Sequence, residues 1–433
     1  MAVEVMWKCF SSFSKVFSRS RAVCSLFGTE NKSKVRLVAR SVWRRKSSSS
    51  LHSEKRNLLN DLINRIKVTG PLTVAAFMQE VLTNPSAGYY MKKDVFGALG
   101  DFITSPEISQ VFGELVGVWF VYHWLQTGKP EVQLVELGPG RGTLLADILR
   151  VIGKFKDLEE KLSLHLVEVS PALSKIQARL LTGEESKVND FDKDYPLSYR
   201  QGKTLSGIPV SWYQAVQDVP PGNTLFLAHE FFDALPIHQL KKTNKGWREV
   251  LVDIDQQSSS SLRFVLAPGP TIVSESLVAK ETSSQEIEVC PKGGAIMEHV
   301  GGIINQHGGC ALIVDYGEMG SNRFSLRAFS KHKLHNVLDA PGMADMTANV
   351  DFAYLKKTLG DKAKSFGPVT QTSFLKEMGI DERMKVLMAN ASESQGEQLQ
   401  SGYKMLLEDM GEKFKFFAVM QHGVNKPPGF STS

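Results

Sequence analysis

Four cysteines in 433 residues are too few for a disulfide framework. Two of them, Cys9 and Cys24, fall within the first fifty residues, and the remaining Cys290 and Cys310 cannot build a structural zinc site. That usage suits a reducing compartment. No apolar run reaches the roughly 18 residues that suggest a membrane-spanning helix. The longest candidate, Leu115 to Leu125, is interrupted by Gly117 and His123. No internal repeat is visible, which excludes solenoids and propellers. Acids are almost missing from residues 1–50, which hold only Glu4 and Glu30 against 11 Lys or Arg and 12 Ser. Basic, serine-rich and acid-poor is the composition of a mitochondrial transit peptide, and the continuous apolar core of a secretory signal is lacking. Removing this segment turns a formal net charge of +5 into about −4, 40 basic residues against 44 acidic ones. The positive balance therefore belongs to the leader, and the remainder has no basic excess that would attract nucleic acid. We expect a mitochondrial matrix protein.

What is present centres on Leu134 to Ala146, reading Leu-Val-Glu-Leu-Gly-Pro-Gly-Arg-Gly-Thr-Leu-Leu-Ala. Val132 to Leu137 is an apolar run of the kind that forms a buried parallel strand. It breaks on Gly138, Pro139, Gly140, Arg141 and Gly142, and apolar residues return at helical spacing at Leu144, Leu145, Ile148, Leu149 and Ile152. Strand, glycine turn and helix make the nucleotide-binding start of an open α/β sheet. Glycines accept positive φ and let backbone amides touch a ligand, while a helix N-terminus offers roughly half a positive charge.

The spacing selects among ligands. It is Gly-x-Gly-x-Gly, where dinucleotide folds use Gly-x-Gly-x-x-Gly, and no Gly-Lys-Ser/Thr follows the turn as in a phosphate loop. A second strand, Leu164 to Val169, carries Glu168 near its end, 26 residues past Gly142. An acid there accepts hydrogen bonds from both ribose hydroxyls. Glu136, just before the turn, would repel a pyrophosphate and suit a ligand that carries an ammonium. Together these features favour S-adenosylmethionine, with Glu136, Gly138, Gly140, Arg141, Gly142 and Glu168 as its contacts. Asp101, an isolated acid in the glycine-framed stretch Phe96 to Pro106, is a further candidate contact from a covering loop.

A third strand, Thr224 to His229, runs directly into Glu230-Phe231-Phe232-Asp233. Ligands of open α/β sheets bind outside the carboxyl ends of strands, so Glu230 and Asp233 are candidate catalytic residues. Asp233 could equally cap a following helix. Gly246 to Asp255 and Ser261 to Ala267 alternate like a hairpin, within an insertion spanning about 240–295. The strand Cys310 to Asp315 places another acid at a carboxyl end, and Phe414 to His422 closes the sheet edge. Ser105 and Pro106 predict the start of the helix through Phe120. His332, His335, Asp339, Asp345 and Asp351 lie in a loop-rich stretch without the tight spacing of metal ligands, so no metal is expected.

With these pieces in hand the chain resembles the MidA-like family of mitochondrial and bacterial methyltransferases. Its animal branch, the complex I assembly factor seven type, is regarded as protein-arginine methyltransferases. The resemblance rests on the stretches 84–90, 100–114, 136–143, 167–171, 229–236, 314–317 and 345–352. It implies an α/β, Rossmann-like, seven-stranded class I methyltransferase fold with a helical N-terminal cap. The corresponding division is 1–50 transit peptide, 51–130 cap and 131–433 methyltransferase domain. The resemblance also implies symmetric dimethylation of an arginine in a core subunit of respiratory complex I. One departure is notable: members of the family often have Asn where this chain has His229.

Overall fold

The computed structural model describes residues 58–91, 104–183, 197–278, 283–320 and 323–431. The predicted transit segment and Asp101 lie outside these residues.

The main sheet has eight strands in its path: Val132–Leu137 (β1), Leu162–Val167 (β2), Arg200–Lys203 (β3), Pro209–Tyr213 (β4), Thr224–His229 (β5), Gly309–Glu318 (β6), Lys364–Thr370 (β7) and Phe414–Met420 (β8). Their spatial order is β7-β8-β6-β5-β1-β2-β4-β3, and the short strand Val350–Asp351 adds a ninth against the end of β6. β4, β2, β1, β5 and β6 are mutually parallel, whereas β8 runs antiparallel to both β6 and β7. Apart from β3, an antiparallel edge, and Val350–Asp351, this is the seven-stranded class I sheet. Every residue of β1 and β5 is buried, as a parallel sheet covered on both faces requires.

The helix Thr143–Ile152 returns from β1 with Leu144, Leu145, Ile148, Val151 and Ile152 buried. Against it packs Gln110–Gln126, which by chain position belongs to the 51–130 segment and, as its wide apolar face predicts, shares one apolar core with the main sheet. The two backbones approach so closely at Gly113 that a Cβ there would lie 2.5 Å from that of Asp147. This helix does not begin at Ser105. A four-residue turn, Ser105–Ile108, ends at Ser109, which is extended (φ −156°, ψ 128°) and accepts at its hydroxyl from the Val111 amide, 3.3 Å away. Ser109 therefore caps Gln110–Gln126, while Thr104, ahead of the short turn, makes no side-chain cap. Farther along the same helix, Glu114 receives a bidentate pair from Arg383 (2.8 and 3.2 Å), both side chains buried. That geometry compensates two charges that would otherwise be costly inside the core.

The insertion forms its own antiparallel sheet from His238–Thr243, Gly246–Ile254, Leu262–Leu266 and Glu286–Val289. The predicted hairpin is its centre, with Val252 opposite Phe264. Leu72–Thr73 joins the sheet's edge, and the helices Leu58–Thr69 and Val74–Thr83 bury Leu62, Ile66, Phe77 and Met78 in the adjoining core. The stretch expected to be loop-rich contains a third sheet, Arg327–Ser330, Lys333–His335 and Asp345–Thr347.

Candidate active site

At the end of β1 the backbone turns through Gly138 (φ +63°), Gly140 (φ +54°) and Gly142 (φ +84°), all in the left-handed region that favours glycine. A Cβ on Gly138 would lie 2.8 Å from Cδ2 of Phe231, so the turn sits directly against the loop after β5. Gln177, from the helix Pro171–Thr182, locks the other side. Its Nε2 donates to the Gly140 carbonyl (2.7 Å) and to Glu168 Oε2 (3.0 Å), and its Oε1 accepts from the Trp212 indole (2.9 Å). Glu168 Oε1 accepts from the Ser170 amide at 2.7 Å. Burial pushes the Glu168 carboxyl up to about 7, opposed by the hydrogen bonds from Ser170 and Gln177. Gln177 was not legible in the sequence, because an amide inside an ordinary amphipathic helix carries no signal.

Glu136 lies within β1, buried, and its Oε2 has no partner among the described residues. Burial first, then the charge of Glu168, pushes it up to about 8. Arg141 turns outward, 3.8 Å from Glu107. Gly142 forms the N-cap of Thr143–Ile152.

The loop after β5 is organised from β6. Asp315 is fully buried, and its Oδ2 accepts from the consecutive amides of Phe231 (3.2 Å), Phe232 (3.0 Å) and Asp233 (3.3 Å). This carboxylate thus shapes the loop and does not face a ligand. Held this way, Glu230 adopts φ +48°, an uncommon conformation for a side chain with a Cβ. No helix follows Asp233; the chain turns straight into the strand His238–Thr243, so a helix-capping role is excluded. Asp233 Oδ2 instead accepts from Thr347 Oγ1 at 2.6 Å and from the Tyr316 hydroxyl, while its Oδ1 has no partner among the described residues. The Arg327 guanidinium lies 4.9 Å over the Tyr316 ring, and Asp345 Oδ1 accepts from Tyr90 at 2.6 Å. Glu230 is pushed well above the usual carboxylate range by burial, then by Asp233, Asp345 and Glu107; the Ser105 amide pulls the other way.

One cleft of about 1120 Å³ joins these two walls. Gly138, Gly140 and Glu168 line one side, and Glu230, Asp233, Tyr316, Arg327 and Asp345 line the other. It exceeds the roughly 300–1,000 Å³ of common ligand pockets, enough for a cofactor and part of a second reactant. Glu136, Arg141 and Gly142 stand behind its surface. Tyr90, Tyr316, Thr347 and Arg327 escaped the sequence because each reaches the site from a distant segment. Among the described residues no group of three His, Cys, Asp or Glu side chains is placed to hold a metal ion.

Residues 115–369 match the family model of S-adenosyl-L-methionine-dependent methyltransferases. The chain belongs to this family. Similar curated proteins include the mitochondrial protein arginine methyltransferase NDUFAF7 of Danio rerio, 50% identical over 390 residues, covering 89% of this chain and 92% of the relative. Its Homo sapiens counterpart is 50% identical over 391 residues and covers 88% of each chain. The Drosophila melanogaster homolog is 45% identical, over 86% of this chain and 87% of its own. A bacterial crystal structure from Burkholderia thailandensis, bound to S-adenosyl-homocysteine, shares the fold with a TM-score of 0.71 at 21% identity, covering 87% of this chain and 95% of that one. The chain is thus a MidA-like methyltransferase, as its motif stretches imply, with S-adenosylmethionine as cofactor. The site fits that cofactor: the turn presents Gly138 and Gly140 to the cleft without side chains, and the Glu168 carboxylate lines the same cleft.

If Glu168 holds the ribose hydroxyls, Glu168→Ala will weaken cofactor binding by about tenfold or more, since a hydrogen bond to a charged group contributes roughly 1.5–3 kcal/mol. Titration calorimetry checks this, and wild-type affinity would remove Glu168 from the ribose contact.

Proposed function

We propose that this cleft transfers methyl groups from S-adenosylmethionine to an arginine of a protein substrate. The observation that supports it is the pair Glu230 and Asp233. Both line the cleft, and each keeps one buried carboxylate oxygen without a partner among the described residues. A guanidinium stays protonated at physiological pH, so its N–H donors match carboxylate oxygens that no side chain occupies. Bidentate carboxylate–guanidinium pairing also sets its orientation. Relatives named protein arginine methyltransferases, about 50% identical over nearly the whole chain, support the same substrate class.

The cofactor supplies an electrophilic methyl group on a sulfonium. The protein's part is chiefly to bring the reactants to near-attack geometry, which can account for about 7–11 kcal/mol of a barrier. Glu168 and Gln177 anchor the cofactor side, and the glycine turn admits the methionine end. Glu230 and Asp233 orient the guanidinium so that one nitrogen faces the methyl group. Asp315 acts behind them, setting the backbone that presents both carboxylates. Asp101 we assign to a covering contact on the cofactor.

The name shared by the relatives supports a mitochondrial role in assembling respiratory complex I. We assign the protein to the matrix, its substrate to a core subunit of that complex, and its product to symmetric dimethylarginine. Incubating the protein with S-adenosylmethionine and isolated core subunits should add two methyl groups to one arginine, read by mass spectrometry. Fragmentation should place one methyl on each terminal nitrogen. Methylation of a small molecule alone, or cofactor binding without transfer to any arginine, would overturn the proposal.

A further inference from the structure

His229 and Glu230 are neighbours at the end of β5, and each carries a buried polar atom with no partner. His229 is 8% exposed, with its ring edge-on to Phe112 at 5.2 Å between centroids. Its Nε2 and Glu230 Oε1 are both without a hydrogen bond among the described residues, and they stand 3.7 Å apart. Buried groups in native proteins are nearly always hydrogen-bonded. Here two unsatisfied atoms face each other at a distance that a shift of about 0.5–1 Å would turn into an ordinary hydrogen bond. Burial also holds the imidazole neutral, lowering it to about 3.

Methyl transfer to a protonated guanidinium must dispose of one proton. A nitrogen lone pair forms the bond to the methyl carbon, and the C–S bond breaks with its electron pair going to sulfur. The sulfonium becomes a thioether, and the methylated guanidinium keeps its single positive charge. One N–H proton is left over and needs a base at the cleft wall. We propose that His229 is a positioning residue for Glu230: its Nε2–H closes onto one lone pair of Glu230 Oε1, fixes the carboxylate against the guanidinium, and keeps it ionised to take the arginine's proton. The inference rests on Glu230 being the guanidinium-facing carboxylate assigned above.

The charged surroundings explain why such help is needed. Asp233 on the same loop, Asp345 from the third sheet, Glu107 from the Ser105–Ile108 turn and Asp315 from β6 all oppose a negative charge on Glu230. The cations nearby are directed elsewhere: Arg141 lies 3.8 Å from Glu107, and Arg327 lies over Tyr316 and acts on Asp233. The Ser105 amide and the His229 ring are the neutral donors that face it.

The test follows the Glu230 carboxyl itself, by ¹³C NMR of the glutamate-labelled protein, with the signal assigned through Glu230→Gln. His229→Leu removes the donor but suits the apolar contact with Phe112; His229→Gln retains an N–H donor at the reach of Nε2. Glu230 should titrate about one pH unit higher in His229→Leu, a tenfold change in its ionisation constant, and return most of the way in His229→Gln. An unchanged midpoint in His229→Leu overturns the proposal. In methyl transfer to complex I core subunits, His229→Leu should lower kcat about tenfold and move its acidic limb upward, with cofactor affinity unchanged and His229→Gln restoring both. Should even the wild type fail to methylate arginine, the proposed function falls, while the titration still decides whether His229 controls Glu230.

Discussion

Glu230→Gln is expected to bind S-adenosylmethionine with wild-type affinity and to transfer methyl groups about a hundredfold more slowly or worse, since mispositioning alone can cost that much. The substitution keeps the size of the side chain but removes the charge that pairs with a guanidinium. It also removes the acceptor for the departing proton. The cofactor side should not register the change, because Glu168 is held by Ser170 and Gln177 and not by the Glu230 loop. Calorimetry with the cofactor, paired with radiolabelled methyl transfer to complex I core subunits, separates the two effects. Normal transfer would sink the assignment and leave Asp233 as the guanidinium-holding carboxylate. Loss of cofactor affinity would place Glu230 in the cofactor pocket.

The second large effect belongs to the turn after β1. Gly140→Val should abolish measurable cofactor binding, a loss of more than about a hundredfold. A β-branched residue resists φ +54°, a conformation that L-residues adopt at roughly 1–2 kcal/mol. More importantly, its side chain would project where Gly140 lines the cleft, filling space the ligand needs. The backbone there is held by Gln177, which donates to the Gly140 carbonyl, so the turn has little freedom to move aside. The fold should survive, because strand β1 and the helix Thr143–Ile152 are secured by their own buried faces. Thermal melting with and without S-adenosylmethionine checks both halves: a cooperative transition must remain, and the cofactor must no longer raise it. A retained ligand-induced shift would mean that Gly140 does not approach the cofactor.

Much of this molecule is local and was therefore visible in one dimension. The strand Thr224–His229 was delimited by its apolar run, and the turn at Gly138–Gly142 by glycines that only a positive φ requires. Glu168 was visible because the residue after the second strand of such a sheet has a fixed place. The hairpin Gly246–Ile254 with Leu262–Leu266 followed from alternation along each strand. All of these depend on neighbours within about ten residues, and periodicity records such neighbours.

The tertiary structure decided what depends on residues far apart in the chain. Asp315 could be recognised as an acid at a strand end, but its service to three amides some 82–84 residues earlier required β6 to lie beside β5. Asp233 read equally well as a helix cap until Thr347, 114 residues away, supplied its hydrogen bond. The break at Ser109 arose because that hydroxyl, and not Ser105, reaches the first amides of the long helix. Sequence alone determined five strands of the main sheet, the glycine turn and the family, while Arg200–Lys203, Pro209–Tyr213 and Lys364–Thr370 went unread. The carboxylate wall was decided by the sheet order, which sets β6 and the Asp345–Thr347 strand against the loop after β5, and burial there makes each charge depend on partners that no local pattern can specify.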